Sequence, residues 1–314
     1  MTKLTPQPWP NLSSPQLEAT AQTLQLWSQI VGKIRLRATP WLNHSWHATL
    51  YVSARGLTTS LIHTERLSFE MEFDFEDSVL VVRDTLGREG RVALAPASVA
   101  DFYARVVEAL ASLDLEIAIH ETPNEIADAI PFSQDTTMRV YDPEAATALW
   151  RAFVQIDRVF KTFRTGFLGK SSPVHLFWGS FDLAVTRFSG RRAPSHPGGI
   201  PNLPDTVTRE AYSHEVSSAG FWPGGMGMEP SFYAYAYPTP EGFSAAAVSP
   251  KEATFNTTLG EFLLPYEAVR ASIDPDAALL EFLRTTYAAA ADLGGWDRDE
   301  LECGQGRHGQ PREA

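Results

Sequence analysis

The chain has 314 residues, 44% hydrophobic and 20% charged, a composition of folded globular proteins and not of disordered or fibrous ones. Its net charge is −12, which argues against a binder of phosphate backbones, and its single cysteine, Cys303, excludes an intrachain disulfide framework or a cysteine-rich metal site. No apolar run approaches the roughly 20 residues that span a bilayer, and residues 1–10 lack the apolar core of a secretory signal, so the expectation is a cytoplasmic protein with neither membrane nor nucleic-acid partners.

Residues 1–13 read as a tail. Ser14-Pro15 makes a helix start, because Ser can accept from unpaired amides and Pro fits the first turn. Leu17, Leu24, Trp27, Val31 and Ile34 then form an apolar stripe at helical spacing that ends by Pro40. From Trp46 the period becomes two, with Trp46, Ala48, Leu50 and Val52 on one face and His47, Thr49, Tyr51 and Ser53 on the other. Arg55-Gly56 turns the chain into a strand over residues 57–62. Phe69, Met71, Phe73 and Phe75 alternate with Glu70, Glu72, Asp74 and Glu76, predicting a strand with one wet face. Strands over 79–83 and 91–94 follow, then a helix opened by Pro96 with Val99, Phe102, Val106 and Leu110 on one side, and a further strand at 115–120. Residues 122–141, with Pro123 and Pro131, read as a connector.

Asp142-Pro143 repeats the cap-plus-proline start, and Leu149, Phe153, Ile156, Phe160, Phe163 and Phe167 form the next stripe. The most apolar and aromatic stretch of the chain, residues 173–188, follows. A strand rises about 3.3 Å per residue, so this stretch is too long for one ordinary strand and should fold back at Gly179-Ser180. A Pro/Gly-rich loop over 193–204 leads to strands at 212–219 and 232–237, a loop at 238–258, and a short strand at 262–269 interrupted by Pro265. Asp274-Pro275 caps a last helix carrying Leu279, Leu280, Phe282, Leu283, Tyr287 and Leu293.

The expected organisation is a tail (1–13), a first α+β half (14–121), a connector (122–141), a second α+β half (142–296) and a disordered tail (297–314). The fold class is α+β, mostly antiparallel sheets covered by about four helices. An internal duplication of a helix–hairpin–strands–helix unit is expected. It rests on aligning Trp27-Ser28-Gln29-Ile30 with Phe153-Val154-Gln155-Ile156, after which His47 and His175 fall at nearly the same offset, as do Thr58 and Thr186.

Polar groups in apolar strands need partners, which directs attention to His175, Asp182 and Arg187. Asp182 and Arg187 facing each other would be a structural ion pair. The sharper reading is an anion site in which Arg187 and Arg191 grip a carboxylate or phosphate and His175 acts as acid or base. His214 and Glu215 fall on opposite strand faces, so only one of them can face such a site; His214 is the candidate partner of His175. His44 and His47 are three apart, with His175, Asp182, His214 or Glu215 as a third metal ligand, but the plainer reading is two histidines bonding backbone in a turn, and no metal is expected. Trp222 belongs to a loop, Phe221-Trp222-Pro223-Gly224-Gly225-Met226-Gly227-Met228, that is either a lid or a packed turn. Tyr233, Tyr235 and Tyr237 share one strand face. The candidate acid/base residues are therefore His175, His214 and His47, and the candidate ligand contacts are Arg55, Asp182, Arg187, Arg191, Trp178, Trp222 and Tyr235. No nucleophile elbow, H-E-x-x-H, Rossmann fingerprint or phosphate loop is present, so motifs point to no cofactor.

Leu26-Trp27-Ser28-Gln29-Ile30-Val31-Gly32-Lys33-Ile34-Arg35, Tyr51-Val52-Ser53-Ala54-Arg55-Gly56-Leu57-Thr58-Thr59, the 173–191 stretch, Phe221-Trp222-Pro223-Gly224-Gly225 and Phe262-Leu263-Leu264-Pro265-Tyr266-Glu267 together carry a resemblance over residues 9–296. The chain resembles a bacterial family of uncharacterised proteins, a domain-of-unknown-function family with no assigned activity. The resemblance implies one recurrent architecture and brings no reaction, ligand or catalytic residue. Two function classes follow from the residues. One is a pocket between the halves for a small polar or anionic molecule, worked on by histidine acid/base chemistry. The other is a non-catalytic interaction protein whose buried polar residues are structural.

Overall fold

The computed structural model describes residues 8–225 and 227–312. Its first helix, α1 (Leu17–Ala38), buries the predicted stripe. The first sheet is built from β1 (Tyr51–Val52), β2 (Gly56–Thr58), β3 (Ile62–His63), β4 (Ser68–Asp74), β5 (Val79–Asp84) and β6 (Glu89–Ala93). It runs in the order β1-β2-β4-β5-β6, with β3 also on β4, every pairing antiparallel. In β4, Phe69, Met71 and Phe73 are buried as the alternation predicts. A small ladder of β7 (Ala97–Ser98) and β8 (Met138–Arg139) flanks α2 (Val99–Ala111), which is capped by Ser98 and not opened at Pro96.

The second half opens with α3 (Pro143–Arg164) and closes with α6 (Pro275–Leu293), whose starts are capped by Asp142 and Asp274 accepting from Ala145 and Ala277 N–H. Between them lie β9 (His175–Phe177), β10 (Asp182–Arg192), α4 (Asp205–Ala211), β11 (His214–Trp222), β12 (Ser231–Tyr237), β13 (Thr254–Asn256), β14 (Glu261–Pro265) and α5 (Tyr266–Arg270). The second sheet is antiparallel in the order β13-β14-β12-β11-β10-β9. The fold-back at Gly179-Ser180 is present, with Asp182 paired to Phe177 across it. A short α7 (Arg298–Leu301) ends the helices. The α+β class is thus as the sequence predicts, and no helix among the described residues is long and apolar enough to cross a membrane.

The two sheets meet edge to edge. Leu50 N–H bonds Leu176 O at 3.0 Å and Leu176 N–H bonds Leu50 O at 2.8 Å. Helices α1 and α3 each have 22 residues and start at residues 17 and 143, and Leu50 and Leu176 stand at that same spacing of 126. Counting back by that spacing from His175 gives Thr49, two residues from His47. One contiguous core runs through both halves, with Trp27 stacked on Phe102 at 4.4 Å and Phe153 set edge-on to Phe181 and Phe221.

Several expected elements differ. The strand expected from Trp46 begins only at Leu50 and Tyr51, after a tight turn with His44 and Ser45 in the left-handed region at φ 58° and 57°. Side chains satisfy its backbone in place of a neighbouring strand: Trp178 Nε1 donates to Ala48 O at 2.7 Å, and Arg35 donates to Thr49 O. Residues 115–120 pair with no strand. The strand over 262–269 stops at Pro265 and continues as α5. Of the N-terminal tail, residues 1–7 lie outside the described residues, but Trp9 and Leu12 are buried, and Trp9 Nε1 donates to Asp276 at 3.1 Å. The C-terminal segment is likewise no loose tail over 297–303. Leu168 N–H bonds Leu301 O at 2.8 Å and Cys303 N–H bonds Gly166 O at 3.3 Å. Residues 313–314 lie outside the described residues.

Candidate functional site

The second sheet has one face packed on helices and one polar face. Register decides which residue goes where. Thr186, Ser218 and Tyr235 form one cross-strand row, and Ala184, Gly220 and Tyr233 the next. In the second row two small residues leave a trough, and the Tyr233 ring lies in it: a Cβ on Gly220 would stand 2.3 Å from the ring carbon bearing the hydroxyl. The phenol thereby reaches across two strands and donates to Asp182, which also accepts from Ser180 Oγ at 2.6 Å. Tyr235 stacks beside it with centroids 6.1 Å apart, and its hydroxyl meets that of Tyr212 at 2.9 Å. Thr186 Oγ1 and Ser218 Oγ are 2.8 Å apart. His196 stacks on Tyr212 at 4.7 Å, walling the network on the side of the Pro/Gly-rich loop.

Two further carboxyls face this network. Glu125 comes from the connector, held by its own N–H on Pro201 O at 2.8 Å and by Asn202 Nδ2 on Ile126 O at 2.6 Å. As a residue it is exposed, but its carboxyl end turns inward against Gly179, where a Cβ would come within 2.0 Å of it. Glu261 begins β14. Burial, and then the Asp182 charge, pushes both Glu125 and Glu261 up to about 7. Burial raises Asp182 above the ordinary carboxylate range and raises Tyr212, Tyr233 and Tyr235 above the ordinary phenol range. Among the described residues none of the three carboxyls has an ion-pair partner. Carboxyls crowded in this way share protons as a group, and a carboxyl titrating near neutrality can give or take a proton at physiological pH.

Of the residues singled out from the sequence, Asp182 and Tyr235 belong to this network. The others lie elsewhere. Asp182 and Arg187 do not form the expected ion pair, because five positions apart on one strand puts them on opposite faces. Arg187 donates to Phe163 O at 2.6 Å with its guanidinium over the Phe163 and Tyr287 rings, and Arg191 pairs with Glu215 at 2.7 Å and caps α6 through Gly294 and Gly295 carbonyls. Arg55 pairs with Asp74 and Asp77 at the tip of the first sheet. Trp178 packs against α1 at Gly32. Trp222 ends β11, paired with Ser231, and its ring lies beside Gly225 of a turn closed by reciprocal Gly225 and Met228 backbone bonds; Met226 lies outside the described residues.

The three histidines do not converge. His175 is 1% exposed, with neither ring nitrogen hydrogen-bonded. His47 binds the Leu42 backbone through Nδ1, and its Nε2 is buried without a partner. His214 meets Ser213 Oγ at 3.0 Å. His47 and His214 lie instead near His44 and Glu210, where His44 Nε2 sits 2.6 Å from Lys170 Nζ and burial lowers the pKa of both His44 and His47. Among the described residues no group of three His, Cys, Asp or Glu is arranged to hold a metal. A surface hollow of about 480 Å³ lies away from all this chemistry, between Ala245–Ala247 and α6, and beside its alanines and Leu293 it is lined by Thr285 and Asp292. The titratable network therefore marks the site better than that hollow does.

A family model described as a family of unknown function, DUF5996, matches residues 9–303. The chain belongs to that family. No curated protein and no solved structure matches it. The matched segment of this DUF5996 chain begins at the buried Trp9 and ends at Cys303, whose N–H bonds Gly166 O.

Proposed function

We propose that this DUF5996 protein binds a small polar molecule over the tyrosine face of the second sheet and exchanges a proton with it through Asp182, Glu125 and Glu261. The observation that carries the reading is three carboxyls gathered under stacked tyrosines with no cation among the described residues to neutralise them. Such a centre favours neutral or cationic hydroxyl- and amino-bearing molecules and disfavours the anions expected from the sequence, since carboxylates repel them. Proton handling is assigned to carboxyls with tyrosine relays, and the histidines take no direct part.

We further read the two halves as a duplication, on the common 126-residue spacing of α1 with α3 and of Leu50 with Leu176. A bacterial, cytoplasmic setting and the lack of a nucleic-acid partner rest on the family resemblance, the single cysteine and the net charge of −12. A second reading, an interaction protein with a structural polar face, is favoured by the exposed Ile130, Met138 and Val140 around β8.

Thermal-shift screening with polyols, sugars, amines and carboxylic acids, on either side of pH 7, separates the two. A ligand at a hundredfold excess over Kd should stabilise the protein by about 2.7 kcal/mol. The shift should vanish in Asp182→Asn and change with pH through the titration of Glu125 and Glu261 at about 7. Hits confined to anions, or hits unchanged in Asp182→Asn and Glu125→Gln, would overturn the proposal.

A further inference from the structure

The connector and the Pro/Gly-rich loop are sewn to each other at three places. Glu125 N–H donates to Pro201 O at 2.8 Å, Asn202 Nδ2 donates to Ile126 O at 2.6 Å, and Asn124 Nδ2 donates to Asn202 O. Residues 124–126 and 200–202 thereby make one small unit. Glu125 and Asn202 both stand in the left-handed region there, at φ 63° and 52°, a conformation that residues other than glycine hold only where their surroundings impose it. The unit is fixed to α1 through Gln29, which is fully buried, accepts from Asn124 N–H at 2.7 Å and donates to Asn124 O at 3.0 Å. The same amide lies 3.4 Å from Gly179 O, which Gln25 binds at 2.5 Å. Gln29 thus grips both backbones between which the Glu125 carboxyl rests. On the loop side, Gly198 and Gly199 at φ 83° and 87° give the chain a pivot, and His196 before them is stacked on Tyr212.

Charge works against this latch. The titratable groups facing the Glu125 carboxyl are Asp182 on β10 and Tyr212 after α4, with Glu261 on β14 acting on the same Asp182. The hairpin adds the Ser180 hydroxyl, and α1 brings only the neutral amides of Gln25 and Gln29 to that spot. Glu125 has no ion pair among the described residues. Once ionised beside Asp182 it is repelled, and the repulsion is relieved if the unit lifts.

We propose that residues 124–126 and 200–202 form a lid on the carboxyl–tyrosine network, latched by Gln29 and released by ionisation of Glu125. Turning about Gly198-Gly199, the lid carries Glu125 away from Asp182 and opens the edge of the network; closing returns the carboxyl to it. The inference rests on the reading of that network as a proton-exchanging site and adds its gate. The closed state holds the Glu125 proton more tightly than the open one. Closure is therefore strongest below about 4.5 and weakens as pH climbs through about 7.

Residue-resolved amide exchange of the intact, ligand-free protein tests the lid, because two neighbouring N–H groups answer differently. Asn124 N–H is bonded across the latch, whereas Glu125 N–H is bonded inside the moving unit. After correction for intrinsic rates, Asn124 should exchange roughly tenfold faster at pH 8 than at pH 6, as a carboxyl at 4.5 in the open state and about 7 in the closed one requires. Glu125 N–H should stay slow at both. Glu125→Gln should hold the Asn124 rate level across that range, and Gln29→Leu should raise it at both pH values. If Gln29→Leu does not fold, the wild type and Glu125→Gln decide the matter alone. Asn124 and Glu125 exchanging together, or an Asn124 rate with the same pH response in wild type and Glu125→Gln, would overturn the lid. No ligand enters this measurement, so a failed ligand screen and a failed lid are told apart.

Discussion

His175 shows what burial does to one titratable side chain. Its ring rests edge-on to Phe177 at 4.6 Å with no hydrogen-bond partner, and burial, aided by the Arg164 charge, lowers its pKa to about 4 from 6.5. The folded pKa is the depressed one, so the unfolded chain takes up the proton first. Stability is full above about 6.5 and is lost as pH falls from there towards 4. The whole gap corresponds to on the order of 3 kcal/mol. Denaturant titrations across this range should show His175→Leu losing that acid-side component, and parallel pH curves for the two proteins would refute it. The sequence marked His175 and Asp182 as polar groups in an apolar stretch, but it could not show that Ser180 and Tyr233 bond Asp182 while neither ring nitrogen of His175 is bonded. Parity was a usable signal: positions 182 and 187 of β10 cannot share a face, whereas Tyr233, Tyr235 and Tyr237 of β12 must. Glu125 and Glu261 carried no local signal at all. A carboxyl in a connector and another at a strand start become special only when long-range packing brings them to Asp182.

At the scale of elements, the polar face depends on β10 and β11 presenting Ala184 and Gly220 in adjacent positions so that one tyrosine can lie flat across them. Gly220→Val would drive a branched side chain into the Tyr233 ring. Overpacking of this kind costs about 1–3 kcal/mol, and the lost Tyr233–Asp182 bond should also abolish the ligand-induced thermal shift. Urea unfolding and the ligand screen check both parts, and a variant of unchanged stability would show that the trough is not closed. Glu125→Gln acts in the opposite sense. A carboxyl with a raised folded pKa withdraws stability as pH climbs from 4.5 through about 7, so the amide should raise Tm on the alkaline side and leave it nearly unchanged on the acid side. Helix starts at Asp142 and Asp274 were readable because a cap is a local device. The turn at His44 and Ser45 was not, since its backbone bonds are supplied by Arg35 and Trp178 from elsewhere in the chain.

At the scale of the whole molecule, the segments around Trp9 and around Leu301–Cys303 both pack on the core. Trp9 packs on Phe232 and Tyr266 and bonds Asp276, which also holds Arg158. Loss of a buried tryptophan costs about 3–5 kcal/mol, so a chain beginning at residue 14 should melt well below the full-length protein in calorimetry; an equal Tm would make the segment a true tail. Polar composition had suggested loose ends because a segment with one tryptophan shows no periodicity to read. The seam at Leu50 and Leu176 has a different consequence. Each sheet surrenders its first margin to the other, and what stays open is modest: β6, where Glu89 and Arg91 project into solvent, and β13, only three residues long. Neither gives a passing chain a long, uncharged row of unpaired peptide groups to add to, so the union of the halves also guards the protein against runaway strand addition and fibre growth.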